Sequence, residues 1–211
     1  MTEQKPLLFT VFVEVQTAHK TAFNDWYNQV HVPEIMACPG FVRSVRYEEV
    51  DADGRYMAMY ELTGLEALES DEFGHARGGK EMQPVVLGST NAVWRHLYTA
   101  PPGSGGGSGA TPALLRFTRS AVAPEREAQF NQWYNEVHLP ELLECPGWLS
   151  ASRYEAVRGT PKYMAIYELA GASALETPQY VKARGFKDME PYVTDASMLT
   201  YRPIFRWAQA R

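Results

Sequence analysis

The spacing of hydrophobic residues changes from a strand-like to a helix-like pattern early in the chain. Leu7–Val15, "LLFTVFVEV", is rich in β-branched and aromatic residues, which predicts a β-strand. Phe23 and Tyr27 then lie four positions apart in a segment of helical periodicity. A helix is therefore predicted after the first strand, with Thr21 or Asn24 as its N-cap.

Four more strand-like or helical segments complete the first hundred residues. Phe41–Val50 and Arg55–Leu62 read as strands joined by "DADG", whose Asp-Gly pair suits a tight hairpin turn. Gly64–Lys80 is a weak, polar helical segment, and Asn91–Ala100 predicts a closing strand. The predicted order is β-α-β-β-α-β, the ferredoxin-like arrangement.

The same pattern occurs twice. Phe23–Leu62 aligns without a gap to Phe130–Leu169, and 22 of these 40 positions are identical. The second copy of the β-α-β-β-α-β pattern extends from Leu114 to Phe205. The chain is therefore a tandem duplication.

A Gly/Ser-rich segment separates the copies. "APPGSGGGSGATP", Ala100 to Pro112, has the composition of a flexible tether, of either natural or engineered origin. It predicts a first domain over residues 1–100, a linker over 101–112 and a second domain over 113–211.

Two helices cover only one face of a four-stranded sheet, yet the strand "RYMAMYEL" carries apolar or aromatic residues on both faces. Tyr56, Ala58 and Tyr60 alternate with Met57 and Met59. The second face needs a partner, and the other copy can supply it. We therefore expect an α+β fold in which two tandem ferredoxin-like domains pair within one chain as a dimeric-type α+β barrel, with a further homodimer possible.

Composition narrows the classes of partner. Among 211 residues the formal net charge is -5 and no basic stripe occurs, which argues against nucleic-acid binding. No apolar run approaches the length of a membrane span, and no secretory signal precedes the first strand, so a cytoplasmic location without membrane attachment is expected. Cys38 and Cys145 lie at equivalent positions, which predicts two buried free thiols rather than a disulfide framework.

A histidine recurs before a proline in both copies, as "VHVPE" at His31 and "VHLPE" at His138. Pro33 lacks an N–H and its ring crowds the preceding turn, so a kink or a new helical turn is expected there. The imidazole then lies at a helix break, where a ligand or water can approach. Tyr27 and Tyr134, four residues earlier, share its helix face.

Two interpretations of these histidines stand side by side. A histidine near a helix end often has a structural role, in which it bonds a free backbone carbonyl. Alternatively, His31 and His138 act as general acid/base groups, since an ordinary imidazole pKa near 6.5 suits proton transfer. Metal or haem ligation is a third interpretation, although no set of further ligands is spaced to complete such a site.

Other residues form a candidate substrate-binding set around the histidines. The tyrosines also suit core packing, the tryptophans also suit core anchors, and the arginines also suit exposed strand positions. Glu61 and Glu168, if buried, need a histidine or arginine partner. The candidate set is Asn28, Asn135, Trp26, Trp133, Glu34, Glu141, Tyr47, Tyr154, Tyr60, Tyr167, Arg46 and Arg153.

The segment "FNDWYNQVHVPEIMACPGF" and its second copy "FNQWYNEVHLPELLECPGW" resemble the EthD-like branch of the dimeric α+β barrel superfamily. The resemblance implies cofactor-free dehydration, decarboxylation or ring closure on hydrophobic aromatic or polyketide-like molecules. It also implies an acid/base role for His31 and His138. Tyr27 and Tyr134 are further catalytic candidates, because their hydroxyls could stabilise a developing oxyanion. Glu34 and Glu141 depart from the usual residue after the proline.

These observations favour a cofactor-independent lyase or isomerase that acts on a small hydrophobic or aromatic metabolite. Nucleotide-binding glycine loops and the commonest serine hydrolase motif are absent from the sequence. No cofactor and no metal are expected. The alternatives are a non-catalytic small-molecule binding protein and a haem-dependent oxidoreductase with an axial histidine.

The copies also differ. His75, Gly79 and Val85 of the first copy correspond to larger residues in the second, namely Lys182, Phe186 and Tyr192. The ligand pocket of the first copy is therefore expected to be the larger.

Overall fold

The computed structural model describes residues 5–106 and 111–207. In the first copy the strands are β1 (Leu7–Val15), β2 (Phe41–Glu49), β3 (Arg55–Leu62) and β4 (Val86–Thr99). The α-helices are α1 (Lys20–Trp26), α2 (Val32–Met36) and α3 (Asp71–Ala76). A π turn over Tyr27–His31 connects α1 to α2.

The second copy repeats these elements. Its strands are β5 (Leu114–Val122), β6 (Trp148–Arg158), β7 (Tyr163–Leu169) and β8 (Val193–Arg206). Its α-helices are α4 (Glu127–Trp133), α5 (Leu139–Leu143) and α6 (Pro178–Ala183). A π turn over Tyr134–His138 connects α4 to α5.

Helix ends differ most from the sequence-based expectations. Thr21 and Asn24 lie inside α1, so neither is an N-cap, because a 3₁₀ turn over Thr17–His19 leads directly into the helix. The predicted helix over 64–80 is interrupted at Ser70, whose hydroxyl accepts the Phe73 N–H and caps α3. Helices this short depend on packing more than on intrinsic propensity.

Each copy forms an antiparallel four-stranded sheet with the first strand near its centre. In the first copy β1 pairs with β3 and β4, and β2 pairs with β3. In the second copy β5 pairs with β7 and β8, and β6 pairs with β7. Each sheet packs its own helices on one face, so the predicted α+β fold class is confirmed.

One apolar core lies between each sheet and its helices. In the first copy, Phe23 and Trp26 of the helix pack with Tyr56, Ala58 and Tyr60 of β3. In the second copy, Phe130 packs with Tyr163, Ala165 and Tyr167 of β7. The aromatic residues of these central strands therefore face the helices, as their alternation with methionine predicts.

The two compact units do not coincide with the two copies. The first unit contains residues up to Arg95 together with Arg202 onward, and the second contains His96–Tyr201. Within the first unit, the Trp207 N–H donates to the Ser44 carbonyl at 3.0 Å. The domain limits 1–100 and 113–211 stay a prediction, and the compact units differ from them at these strand ends.

The start of the linker is attached to the second unit. The backbone N–H of Ser104 donates to Glu144 Oε1 at 3.2 Å, and Gly147 donates its N–H to the Gly105 carbonyl at 2.8 Å. A Cβ on Gly105 would lie 2.0 Å from the Cys145 carbonyl oxygen, so glycine permits this approach. Residues 101–106 thus form defined structure, which corrects the expectation of a tether flexible over 101–112. Residues 107–110 lie outside the described part.

Two expectations from composition can be compared with the described residues. Cys38 and Cys145 are buried free thiols, as predicted. Across residues 5–106 and 111–207, none of the helices combines the length and apolar character required to traverse a bilayer.

We predict that Gly40→Ala lowers the free energy of unfolding by about 2 kcal/mol. Gly40 ends the turn before β2 with a φ of +84°, and an added Cβ would lie 2.7 Å from the Ala67 Cβ. Gly74→Ala in α3 is the control, because an added Cβ there meets nothing within 4 Å. Urea unfolding measures both variants, and equal effects would contradict the prediction.

Candidate functional site

A π turn in each copy aligns the candidate histidine with the preceding tyrosine. The Val32 N–H donates to the Tyr27 carbonyl, five residues back, and Leu139 does the same to Tyr134. Pro33 follows immediately and has no N–H for the regular helical bond. The predicted interruption at the proline is thus a local widening of the helix, a feature that is frequent at functional sites.

Aromatic rings enclose each histidine. The His31 ring stacks on Trp26 with centroids 4.8 Å apart and an interplanar angle of 17°. The Tyr27 ring meets it edge-on at 4.7 Å. His138 has the same arrangement with Trp133 at 4.8 Å and Tyr134 at 4.9 Å. These contacts fix the ring plane through packing rather than through a hydrogen bond.

The Nδ1 atom of each histidine is buried without a hydrogen-bond partner. His31 is 7% exposed and His138 is 5% exposed, and both Nδ1 atoms lack a partner among the described residues. In the structural interpretation, the imidazole hydrogen-bonds a free backbone carbonyl. The structure shows no such bond at Nδ1. A buried polar atom without a partner is costly and requires an explanation.

Burial keeps both imidazoles neutral. It lowers the pKa of His31 to about 4; Glu34 opposes this shift, whereas the cations of Lys80 and Arg46 add to it. Burial also lowers the pKa of His138 to about 3, with Lys187 and Arg153 adding to the shift. At neutral pH each ring therefore carries one proton, so that one nitrogen can accept and the other can donate.

The arginine of the second strand is buried below the helix rather than exposed. Arg46 is 0% exposed, and its two terminal nitrogens donate to Asn28 Oδ1 at 2.6 Å and Asn24 Oδ1 at 2.8 Å. Its guanidinium carbon lies 4.0 Å from the centroid of the Tyr27 ring. The alternative of an exposed strand-face arginine is thus wrong, because this face of β2 is the one covered by α1.

The second copy repeats the buried arginine. Arg153 donates to Asn131 Oδ1 at 2.7 Å and Asn135 Oδ1 at 2.8 Å, and its guanidinium carbon lies 4.3 Å from the Tyr134 ring centroid. Asn24 and Asn131 were absent from the predicted set. The signal for them was present, since an asparagine pair four residues apart occurs on the helix in both copies.

Two tyrosine hydroxyls meet beside each arginine. The hydroxyls of Tyr27 and Tyr60 are 3.4 Å apart, and those of Tyr134 and Tyr167 are 2.7 Å apart. Burial, the neighbouring Tyr27 and its hydrogen bond raise the pKa of Tyr60 well above its usual range. These hydroxyls therefore stay protonated and can donate to a developing negative charge.

Some of the remaining predicted residues lie near the candidate histidines and others lie on the opposite face of the sheet. Glu34, beside His31, forms an ion pair with Lys80 at 2.5 Å, whereas Glu141 is exposed. Tyr47 pairs with Met57 in the strand register and so lies on the sheet face opposite Arg46. Tyr154 is 5.6 Å from the His96 ring, on the corresponding face of β6. The structure does not bring Tyr47 and Tyr154 to the histidines.

The strand glutamates have partners of different kinds. Glu61 forms an ion pair with Arg43 at 3.2 Å, an arginine partner of the expected type. Glu168 accepts a hydrogen bond from the Ser150 hydroxyl at 2.7 Å instead. Neither glutamate is fully buried, so the cost that motivated the expectation is small.

The histidines do not fit the haem hypothesis. Metal-ligating histidines ordinarily donate their second ring N–H to a carboxylate or carbonyl, which orients the ring. The Nδ1 atoms of His31 and His138 have no such partner in the part of the chain that the structure describes. In the described part of the chain, no group of three or more His, Cys, Asp or Glu side chains is arranged to hold a metal ion.

Comparison with known proteins identifies the fold. No protein family and no curated protein matches the sequence. An anthrone oxidase-like protein of known structure is similar, with a TM-score of 0.73 and 13% identity, over 98% of this chain and 94% of that chain. A proposed monooxygenase from Fusobacterium nucleatum has a TM-score of 0.64 and 10% identity, over 99% and 96%.

A third structure, a mutant chlorite dismutase from Candidatus Nitrospira defluvii, has a TM-score of 0.57 and 12% identity, over 96% and 93%. Identities this low carry information about the fold alone. The fold is that of the dimeric α+β barrel proteins, as the sequence predicts. The EthD-like branch stays a prediction.

We predict that the pH dependence of stability contains a contribution from the buried histidines. His31 has a lower pKa when folded than its ordinary 6.5, so the unfolded chain binds its proton more readily. Stability from the neutral ring is complete above pH 6.5 and is lost as the pH falls towards 4, by about 3 kcal/mol.

Urea unfolding of wild type and His31→Gln at several pH values between 4.5 and 7.5 measures this contribution. The variant should lose less stability than wild type as the pH falls. His19→Gln, at an exposed position, is the matched control and should follow wild type. Parallel pH profiles for His31→Gln and wild type would contradict the prediction.

We also predict that Arg46→Lys lowers the free energy of unfolding by about 2 kcal/mol or more, since an ammonium group cannot reproduce the two-pronged contact with Asn24 and Asn28. Arg43→Lys on the same strand is the control; its ion pair with Glu61 is largely exposed, so a change within about 0.5 kcal/mol is expected. Similar losses in both variants would refute a special role for Arg46.

Proposed function

We propose that the chain is a cofactor-independent enzyme that moves a proton on a small hydrophobic or aromatic molecule, with His31 and His138 as the acid/base groups. The reaction type is that of a lyase or isomerase, and the assignment to the EthD-like branch belongs to the same proposal. A cytoplasmic location stays part of it.

The observation that supports the proposal is a neutral, ring-stacked imidazole with a buried, unpartnered Nδ1, which occurs in both copies. The neutral imidazole can accept a proton from a substrate hydroxyl or an acidic C–H group directed at it. The surrounding aromatic rings suit an apolar substrate.

The proposed chemistry divides the work between the histidine and its neighbours. A histidine with a pKa of about 4 is a weak base, so proton removal depends on stabilising the anion that forms. The protonated hydroxyls of Tyr27 and Tyr60 can donate to that anion, and the buried cation of Arg46 lies beside them. The same groups exist in the second copy as Tyr134, Tyr167 and Arg153.

A second candidate is oxidation of an aromatic substrate by molecular oxygen. The names of two structural neighbours, an anthrone oxidase-like protein and a proposed monooxygenase, favour it. It begins with the same proton removal, after which the electron-rich anion would react with O₂. The two candidates therefore differ in oxygen uptake and share the histidine step.

Anthrone, a tricyclic aromatic ketone with an acidic methylene group, is a suitable probe for that step. Without oxygen in D₂O, wild type should accelerate hydrogen-deuterium exchange at the methylene carbon. His31→Ala combined with His138→Ala should reduce the acceleration by about 10²-fold. In air, an oxygen electrode then distinguishes oxidation from simple exchange.

His19→Ala is the matched control, because His19 is an exposed histidine on the 3₁₀ turn before α1, whereas His31 is buried. Exchange that survives the double histidine substitution would refute the acid/base role. Binding of anthrone without accelerated exchange would favour a non-catalytic small-molecule binding protein.

A further inference from the structure

A pair of facing residues on the helix-covered side of the sheet is apolar in the first copy and polar in the second. Phe9 of β1 faces Val93 of β4 in the first copy. At the equivalent positions of the second copy, Arg116 of β5 faces Thr200 of β8. An apolar cross-strand pair in one copy is thus a polar, charged pair in the other.

In the first copy this pair belongs to the apolar core. Phe9 and Val93 are 7% and 1% exposed, and the Phe9 ring lies 6.0 Å from both Tyr60 and Phe73. Tyr60 is also the direct strand neighbour of Phe9. The fold therefore accommodates two apolar side chains here without any polar group.

In the second copy only some of the hydrogen-bond donors of Arg116 have an acceptor. Nη1 of Arg116 donates to the hydroxyl of the buried Thr200. Nε of Arg116 is buried and has no hydrogen-bond partner within residues 5–106 and 111–207. No carboxylate among the described residues forms an ion pair with Arg116. Residue 116 as a whole is only partly buried, so part of the side chain can be reached from outside the core.

Such an arrangement is unfavourable for stability alone. A buried N–H without an acceptor loses its hydration and gains nothing in return. A charge that is partly buried without a counter-charge also loses hydration, and apolar replacements of buried ionic groups are often neutral or stabilising. The first copy shows that the same fold accepts an apolar pair at these positions. Packing therefore does not explain why the second copy has an arginine.

The surroundings of Arg116 suit an aromatic or apolar molecule with a negative group. Tyr167 lies directly opposite on β7, and its hydroxyl is 2.7 Å from that of Tyr134. The rings of Trp148 and Tyr180 lie 5.0 Å apart in the same core. Guanidinium donors and protonated hydroxyls are the groups that bind a carboxylate, and aromatic rings bind the apolar remainder.

We propose that Arg116 and Thr200 form an anion subsite in the second copy that binds the carboxylate of an aromatic or apolar ligand, whereas the first copy binds only uncharged ligands. The inference names a substrate class for the proposed small-molecule function and rests on that function. It predicts that one chain contains two sites of different charge preference.

The test compares 2-naphthoate with its neutral analogue 2-naphthamide by isothermal titration calorimetry at pH 7.5. Wild type should bind the carboxylate at least about tenfold more tightly than the amide. Arg116→Phe combined with Thr200→Val, which installs the residue pair of the first copy, should abolish this preference and leave amide binding unchanged.

Two controls separate a ligand role from a structural or long-range charge effect. The double variant should keep or raise its urea midpoint, because the first copy tolerates the same side chains, whereas a structural arginine would lower it. Arg119→Met removes a cation on the opposite face of β5, where it donates to Ser197, and should retain the carboxylate preference.

Equal affinity for naphthoate and naphthamide, or a preference that persists in the double variant, would overturn the subsite. Failure to bind naphthoate up to about 1 mM would do the same. Because these measurements need no turnover, they are independent of the histidine assay. A carboxylate preference without proton transfer would refute the proposed catalysis and keep the subsite.

Discussion

Each copy of this protein is organised by a buried guanidinium that has no carboxylate partner within the described part of the chain. Arg46 reaches from the second strand to two asparagines one turn apart on the first helix and lies over the Tyr27 ring. Burial lowers the pKa of Arg46, yet a guanidinium keeps its proton at neutral pH. The helix therefore has to supply amide oxygens and an aromatic face, and this requirement fixes the position of the helix on the sheet.

The histidine environment follows from that constraint. With Tyr27 placed over the arginine, the π turn brings His31 against the edge of the same ring and onto the face of Trp26. Neutrality of the imidazole then results from burial together with the cation below the tyrosine, although Glu34 opposes it. Position, orientation and protonation state of the histidine are thus consequences of one buried charge and one widened helical turn.

Strand positions and the repeat were predictable from the sequence because alternation and self-similarity are local signals. β1 and β3 have the predicted limits, and the break before Pro33 occurs as a π turn. Burial of Arg46 was not predictable from its strand alone, since it depends on which face the helix covers. The asparagine spacing contained that information, but only once helix and strand are known to meet. The contact of Ser104 in the linker with Glu144 was not predictable for the same reason, because it also depends on the tertiary structure.

The duplication provides an internal comparison that the structural neighbours, at 10% to 13% identity, do not offer. Groups that recur in both copies, namely the arginine, its asparagines, the tyrosine pair and the stacked histidine, define what the fold maintains around the helix. Groups that differ, above all Phe9 against Arg116, have no role in maintaining it, because each copy folds with its own version. A charge that costs stability in one copy and is dispensable in the other is therefore best explained by what that copy binds.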